Sequence, residues 1–283
     1  MKSSLKVILS ISCITAMIAF GCKKKETVEV DNETQSAVDN AVADQEYASI
    51  VPTTNNHAIN TKGTGAAGRL MATCDTLTKI SGDTLFGQGG HVDPTYTLNI
   101  SSTSTCNPMP DSKARAGALS IRLTNKIKVP GAKMIIKMLN YKTGTIGYSC
   151  DSIVVTTVAF NSAYTEFNIK LINGICQSPN WIVKYSSDRN IRHYSKGNPT
   201  GTDPVTEVWG TANGVNRQGR AFTVNIPQGS PLVKHKACAY IDKGVMALTP
   251  DGFRERTVDF GNGTCDDDAT FTVNGNTVAF KLR

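Results

Sequence analysis

Leu119, Ile121 and Leu123 alternate with Ser120, Arg122 and Thr124, and the same two-residue period recurs in Phe167, Ile169 and Leu171 and in Phe222, Val224 and Ile226. Successive side chains of a strand point to opposite faces, so a single apolar face on each run means half-buried antiparallel strands. Turn residues punctuate the runs: Asn140 to Gly144, Asn198 to Gly201, Asn213-Gly214, Pro250-Asp251-Gly252 and Asn274-Gly275. Asn274-Gly275 fits the two-residue loop of a type I′ hairpin, which needs positive φ at both positions. No segment after residue 69 keeps a helical period. The fold class is therefore all-β over 69–283, in antiparallel hairpins and meanders that form a sandwich or extended curved sheets. A short repeat, Thr97-Leu98-Asn99-Ile100 leading to Thr105-Cys106 and Thr257-Val258-Asp259-Phe260 leading to Thr264-Cys265, leaves open either one β domain or two related β units.

The chain starts differently. Lys2 and Lys6 precede an apolar run from Val7 to Phe20, then Gly21-Cys22 and three lysines, Lys23 to Lys25. A positive start, an apolar middle too short for a permanent span and a small residue at the cut make 1–21 a secretory signal peptide. Ala19-Phe20-Gly21-Cys22 resembles a bacterial lipobox, which implies that the Cys22 thiol carries a diacylglycerol and the freed amine a further acyl chain such as palmitate. An ordinary signal peptide would cut the same bond and leave Cys22 as a free thiol. Several acyl chains, each contributing about 0.8 kcal/mol per buried CH₂, hold a protein on a membrane far more firmly than one.

Residues 22–68 read as the lipidated cysteine and a flexible tether. Glu26, Glu29, Asp31, Glu33, Asp39, Asp44 and Glu46 make its first half acidic, and Gly63, Gly65 and Gly68 loosen its second half. Val38, Ala41, Val42 and Gln45 fall at helical spacing behind the caps Asp31 and Asn32, so a short helix is expected there. Gly63 to Gly68 matches G-x-G-x-x-G, but no strand precedes it, and a joint accounts for it.

The stretch Arg256-Thr257-Val258-Asp259-Phe260-Gly261-Asn262-Gly263-Thr264-Cys265-Asp266-Asp267-Asp268-Ala269-Thr270, closing in Asn274-Gly275 and Lys281-Leu282-Arg283, resembles the C-terminus of uncharacterised envelope lipoproteins of the Bacteroidota. Residues 32–40 and 210–219 are similar to other parts of those proteins. The resemblance implies an envelope location, most naturally the outer membrane on its periplasmic or surface face, and carries no activity onto any residue. Cys150 and Cys176 are additional to the cysteines of that family.

With Cys13 in the signal and Cys22 lipidated, six cysteines remain, an even set for an oxidising compartment. If Pro250 to Phe253 is a four-residue loop, Thr249 faces Arg254 and the same register sets Cys238 opposite Cys265. Across Asn161 to Thr165, Phe160 faces Glu166 and Cys150 faces Cys176. Cys74 and Cys106 remain as a third pair. Three disulfides are expected, with a shift of register at a glycine bulge as the chief risk to the first.

Residues 47–283 hold 25 basic and 16 acidic side chains, a net of +9. A basic β domain outside the cell suits an anionic glycan, a phosphate-bearing surface or an envelope protein. Lys126, Lys128, Lys133, Lys137 and Lys142 form one candidate patch and Arg189, Arg192, His193 and Lys196 another, although such residues are commonly just the solvated face of strands. Nucleic acid is not expected, because no recognition helix or stacking motif accompanies the charge. Trp181, Tyr185 and Tyr194 could make a sugar platform or serve as core. The motifs of metalloproteases, α/β-hydrolases and P-loop enzymes are missing from the sequence, and the four histidines lack ligand spacing. Asp259, Asn262 and Asp266 to Asp268 could meet Ca²⁺ through oxygen, but without the EF-hand order no metal or other cofactor is assigned. Asp75-Thr76-Leu77, Asp83-Thr84-Leu85 and Asp151-Ser152-Ile153 resemble glycosylated tripeptides of exported Bacteroidota proteins. The sequence thus reads as a lipid-anchored cell-envelope β protein with a binding or structural role and no catalytic residue. The alternative is a secreted glycan-acting hydrolase, whose mark would be a cleft with two close carboxylates.

Overall fold

The alternating runs become strands of one antiparallel sheet in the computed structural model, which describes residues 31, 33–60, 75–102, 113–194 and 204–282. Helix α1 (Gln35–Asn60) comes first. The strands follow as β1 (Thr76–Ser81), β2 (Thr95–Ser102), β3 (Arg115–Leu123), β4 (Lys133–Thr143), β5 (Ile146–Ser149), β6 (Ser152–Phe160), β7 (Thr165–Ser178) and β8 (Trp181–Tyr194). The second half adds β9 (Val205–Val215), β10 (Ala221–Ile226), β11 (Leu232–His235), β12 (Lys243–Pro250), β13 (Arg256–Asn262), β14 (Asp268–Val273) and β15 (Asn276–Lys281). Among the described residues the order is almost that of the chain, β1-β2-β3-β4-β5-β7-β8-β9-β10-β12-β13-β14-β15. β6 continues the column of β5 between β4 and β7, and β11 continues that of β10 between β9 and β12. Helix and strands lie in a single unit, Asp31–Arg283.

The inner face carries the apolar half of each alternation, including the fully buried Leu98, Leu119, Ile136, Ile153, Leu248 and Val258. The opposite face carries Lys137, Lys170, Lys184, Asn213 and Thr223 and is largely exposed. Asn274 and Gly275 have φ of 52° and 78°, and Val273 pairs with Asn276, so the expected type I′ turn is present. Asn213-Gly214 is not a turn. Both continue β9, because the Phe222 ring occupies the space over Gly214, where a Cβ would lie 2.5 Å from Phe222 Cζ.

The sheet curls around α1. Glu46 meets Arg115 of β3 and Tyr141 of β4, and Tyr47 meets backbone of β5 and β7 and stacks on Tyr185 of β8. Those strands span four inter-strand steps, about 19 Å if flat at ~4.8 Å each. Two adjacent residues of a helix ~10 Å wide reach all of them only if the sheet bends around it. Bulges supply the bend, with register shifts at Ala116/Ala118, Thr157/Ala159, Leu171/Gly174 and Lys243/Val245. At the first, Gly117 adopts φ 113° and its missing Cβ would stand 2.5 Å from the Asn140 carbonyl oxygen.

Helix α1 is the expected helix, longer than expected and docked on the sheet, while 22–30 and 61–68 of the expected tether lie outside the described residues. It runs 26 residues, and its inward face (Ser36, Asp39, Asn40, Ala43, Glu46, Tyr47, Ile50 and Thr54) is buried. Several of the helix's polar side chains meet partners from the sheet and its loops. Arg115 Nε and Nη2 donate to Glu46 at 2.9 and 3.2 Å, and the Tyr141 hydroxyl donates to the same carboxylate at 2.6 Å. Tyr185 donates to Asp44 at 2.7 Å, and the Arg217 amide and Nε both donate to Asp39 at 2.8 Å. Just before the helix, the wholly buried Arg256 donates to Asp31 and, at 2.9 Å, to the Glu33 carbonyl. Buried charges are tolerable only when paired and hydrogen-bonded in this way.

Candidate functional site

Cysteine geometry follows from the ladders. Cys238 and Cys265 are joined as a disulfide. The register beneath differs from the expected one, since Leu248 pairs with Arg256 and the ladder shifts again at Gly244. The bond ties the segment after β11 to the one after β13. The Cys150–Cys176 pairing is overturned, and both are free thiols. Phe160 pairs with Thr165 instead of Glu166, and the bulge at Thr157/Ala159 slips the ladder by one more, so Cys176 faces Tyr148, two residues short of Cys150. Both thiols lie near Tyr47 beneath α1, where burial pushes Cys150 up to about 11 and Cys176 up to about 12. Burial likewise raises the Tyr47 hydroxyl, which lies 2.7 Å from the Ser149 carbonyl oxygen and 3.0 Å from that of Ile175. Cys22, Cys74, Cys106 and the G-x-G-x-x-G segment fall outside the described residues.

The basic patches separate. Lys126, Lys128, Lys133, Lys137 and Lys142 are all exposed, and Lys128 stands 5.3 Å from the Phe160 ring centroid. In the second group, Arg189 points inward at Asp44, whereas Arg192 pairs with Glu166 at 2.8 Å and covers the Trp209 and Tyr164 rings. Lys196 lies outside the described residues. The three aromatic residues do not make one platform: Tyr185 is fully buried, Trp181 stacks under Arg217 at 4.2 Å, and Tyr194 packs on Tyr164. Of the acidic C-terminal group, Asp267 and Asp268 both pair with Lys281, and Asp266 accepts from the Asp268 amide.

What the strands do build is a groove of about 800 Å³ across the outer surface of β7, β8, β9, β10 and β12. Registry sets two rows of side chains along it. Ile175, Lys184, Val215 and Ala221 stand opposite one another in one row. Ser186, Asn213, Thr223 and Thr249 form the other, with Asn173 donating its amide to Ser186 Oγ at 3.1 Å. One row thus offers amides and hydroxyls at each inter-strand step of ~4.8 Å, and its neighbour offers aliphatic surface around one ammonium. The turn Asp251-Gly252-Phe253 walls one end, where the Arg220 guanidinium lies 4.3 Å from the Phe253 ring centroid. Past Lys184 and Val215 the groove continues into a cleft of about 560 Å³ with Gln177, Trp181, Ile182 and Arg217 on its walls.

The floor explains why the groove exists. Behind it Gly174 and Gly214 stand where Tyr47 and Phe222 press from the inner face; a Cβ on Gly174 would lie 3.0 Å from Tyr47 Cζ. Sequence reasoning read Asn213 as part of a turn, left Thr223 as the polar half of an alternating run and did not single out Lys184. Their assembly depends on the registry of five strands, and the sole sequence signal was the run of small polar residues at alternate positions in β9 and β10.

Compared with known proteins, the chain matches no family model, no curated protein and no solved structure.

Proposed function

We propose that this chain is a lipid-anchored cell-envelope protein that binds an extended glycan in the groove across β7 to β12. The observation that carries the reading is the pair of parallel rows, one of amides and hydroxyls and one of aliphatic side chains. A sugar chain presents hydroxyls and apolar C–H faces together, and the two rows and the Phe253 wall match both. Lys184 at the centre gives the groove one ammonium against the carboxylate of Asp251, while the Arg217 guanidinium at the far end is already paired with Asp39. Asp251 is the one carboxylate among the described lining residues, whereas glycoside hydrolysis uses a pair. Binding is therefore preferred to the hydrolase reading.

The address belongs to the same proposal. Gly21-Cys22 behind a short apolar run supports acylation and residence at the outer membrane, on its periplasmic or surface face. The likeness of 256–270 to Bacteroidota envelope lipoproteins points the same way. Calorimetric titration of the purified protein with acidic and neutral oligosaccharides tests the site. Binding that weakens about tenfold in Lys184→Ala and in Asn213→Ala, with unchanged thermal stability, is expected. Binding untouched by both substitutions would refute the groove, and capture of an envelope protein in place of any glycan would refute the ligand class.

A further inference from the structure

The turn that follows β11 brings His235, Cys238 and Asp242 together, and their donor atoms lie within 4.8 Å of one another. Cys265 adds a second sulfur, since it is bonded to Cys238. We propose that reduction of this disulfide turns the cluster into a Zn²⁺ site with Cys238, Cys265, His235 and Asp242 as its four donors.

Three features argue for it. The donor set is right: two thiolates, an imidazole and a carboxylate are all zinc ligands, and structural zinc is almost always four-coordinate. Spacing is close for the three clustered donors, and Cys265 is tied to them through Cys238. Tetrahedral zinc at about 2.0 Å from N and O and about 2.3 Å from S holds its donors roughly 3.3–3.8 Å apart. His235 Nδ1 and Asp242 Oδ2 now share a proton at 2.9 Å, so replacing that proton by the ion moves them by only a few tenths of an ångström. The frame is fixed. The Asp242 side chain is wholly buried, its own amide donates to the Val233 carbonyl at 3.1 Å and its carbonyl accepts from Gly263 at 2.8 Å, while the Cys238 amide donates to the His235 carbonyl at 3.0 Å.

A dithiol reductant supplies the first step. It gives two electrons and two protons to the Cys238–Cys265 bond, the S–S bond breaks to two thiols, and the reductant leaves as its own disulfide. Zinc then displaces both thiol protons to solvent, and the imidazole proton passes from Nδ1 to Nε2 on the partly exposed edge of the ring. The ion replaces the covalent bond as the link between the segments after β11 and β13.

The test is zinc titration of the full chain, oxidised and after phosphine reduction, read by chelator competition and by the visible bands of Co²⁺ substituted for zinc. One equivalent is expected after reduction and none before, with sulfur-to-cobalt charge transfer and tetrahedral d–d bands. His235→Ala, which leaves the disulfide able to form, should weaken zinc binding about 100-fold or more, as even outer-sphere partners contribute 10–100-fold. Cys238→Ser with Cys265→Ser should abolish it. The proposal fails if the reduced chain binds no zinc, if His235→Ala binds as the parent does, or if the double serine variant keeps the site through Cys150 and Cys176. Should reduction unfold the chain, zinc must restore its circular dichroism, and failure to do so also overturns the proposal.

Discussion

Replacing Glu46 by alanine tests whether α1 is part of the folded unit or an appendage to it. The carboxylate side chain is 2% exposed and accepts from Arg115, itself 4% exposed, and from Tyr141. Its removal takes from a buried guanidinium the anion that two of its nitrogens contact, a loss of about 3–5 kcal/mol for a pair so placed. Domains of this kind are stable by only about 5–15 kcal/mol, so the urea midpoint should fall by about a fifth or more. Trp181 gives the signal, because it stacks on the Arg217 that binds Asp39 of the helix. Removing all three polar groups together, in Glu46→Leu with Arg115→Met and Tyr141→Phe, should recover most of the loss, since apolar groups of similar volume replace buried ion pairs at little or no cost. A cost under about 1 kcal/mol for Glu46→Ala is the value of an exposed pair. That result would mean the helix is not docked, and residues 33–60 would return to being a tether.

Stability should fall in alkali. Cys150 and Cys176 keep their protons in the folded chain up to about 11 and about 12, but lose them near 9 when unfolded, so stability is full below pH 9 and declines above it by up to about 1.4 kcal/mol per pH unit per thiol. Tyr47, Tyr141, Tyr148 and Tyr185, all raised by burial, steepen the decline above pH 10, and urea midpoints that stay flat between pH 8 and 10.5 would contradict this. Gly174→Ala should destabilise by about 1–3 kcal/mol, since its Cβ would meet the Tyr185 carbonyl oxygen at 2.8 Å; thermal melting decides it. Iodoacetamide should label Cys150 and Cys176 only after denaturation, as peptide mapping would report. Cys22→Ser should abolish acylation, and an intact mass of the mature parent chain without acyl groups would refute the anchor.

The sheet was legible because its signal is local: two-residue alternation and Asn274-Gly275 need no knowledge of what lies across the strand. The helix was legible only as a short one, and its docking not at all, for an equally physical reason. Its inward stripe is largely Ser36, Asp39, Asn40, Ala43 and Glu46, so a search for apolar spacing settled on Val38, Ala41, Val42 and Gln45, which lie beside that stripe. Only Arg115 of β3 and Arg217 after β9 reveal why Glu46 and Asp39 are buried, and they come from far along the sequence. Cysteine pairing failed by two residues at Cys150 because a loop one residue shorter than expected and a bulge at Thr157 each moved the register by one. The groove was invisible for the same cause, being a product of registry across five strands.

Helix α1 also sets the order in which this molecule can be completed. A chain made from its N-terminus presents the helix first, yet Glu33 waits for Asn216 and Arg256, partners 183 and 223 residues later. Contacts so distant in sequence make folding slow, because loop closure precedes any gain from them. Until β3, β8 and the segment after β9 are made, a helix bearing Glu46, Asp44 and Asp39 stands without Arg115, Arg189 and Arg217, and those carboxylates keep it hydrated. Polarity on the buried side of α1 thus protects the nascent chain: an all-leucine stripe would pack as well in the end, but would offer the unfinished protein a greasy surface for as long as the sheet was incomplete.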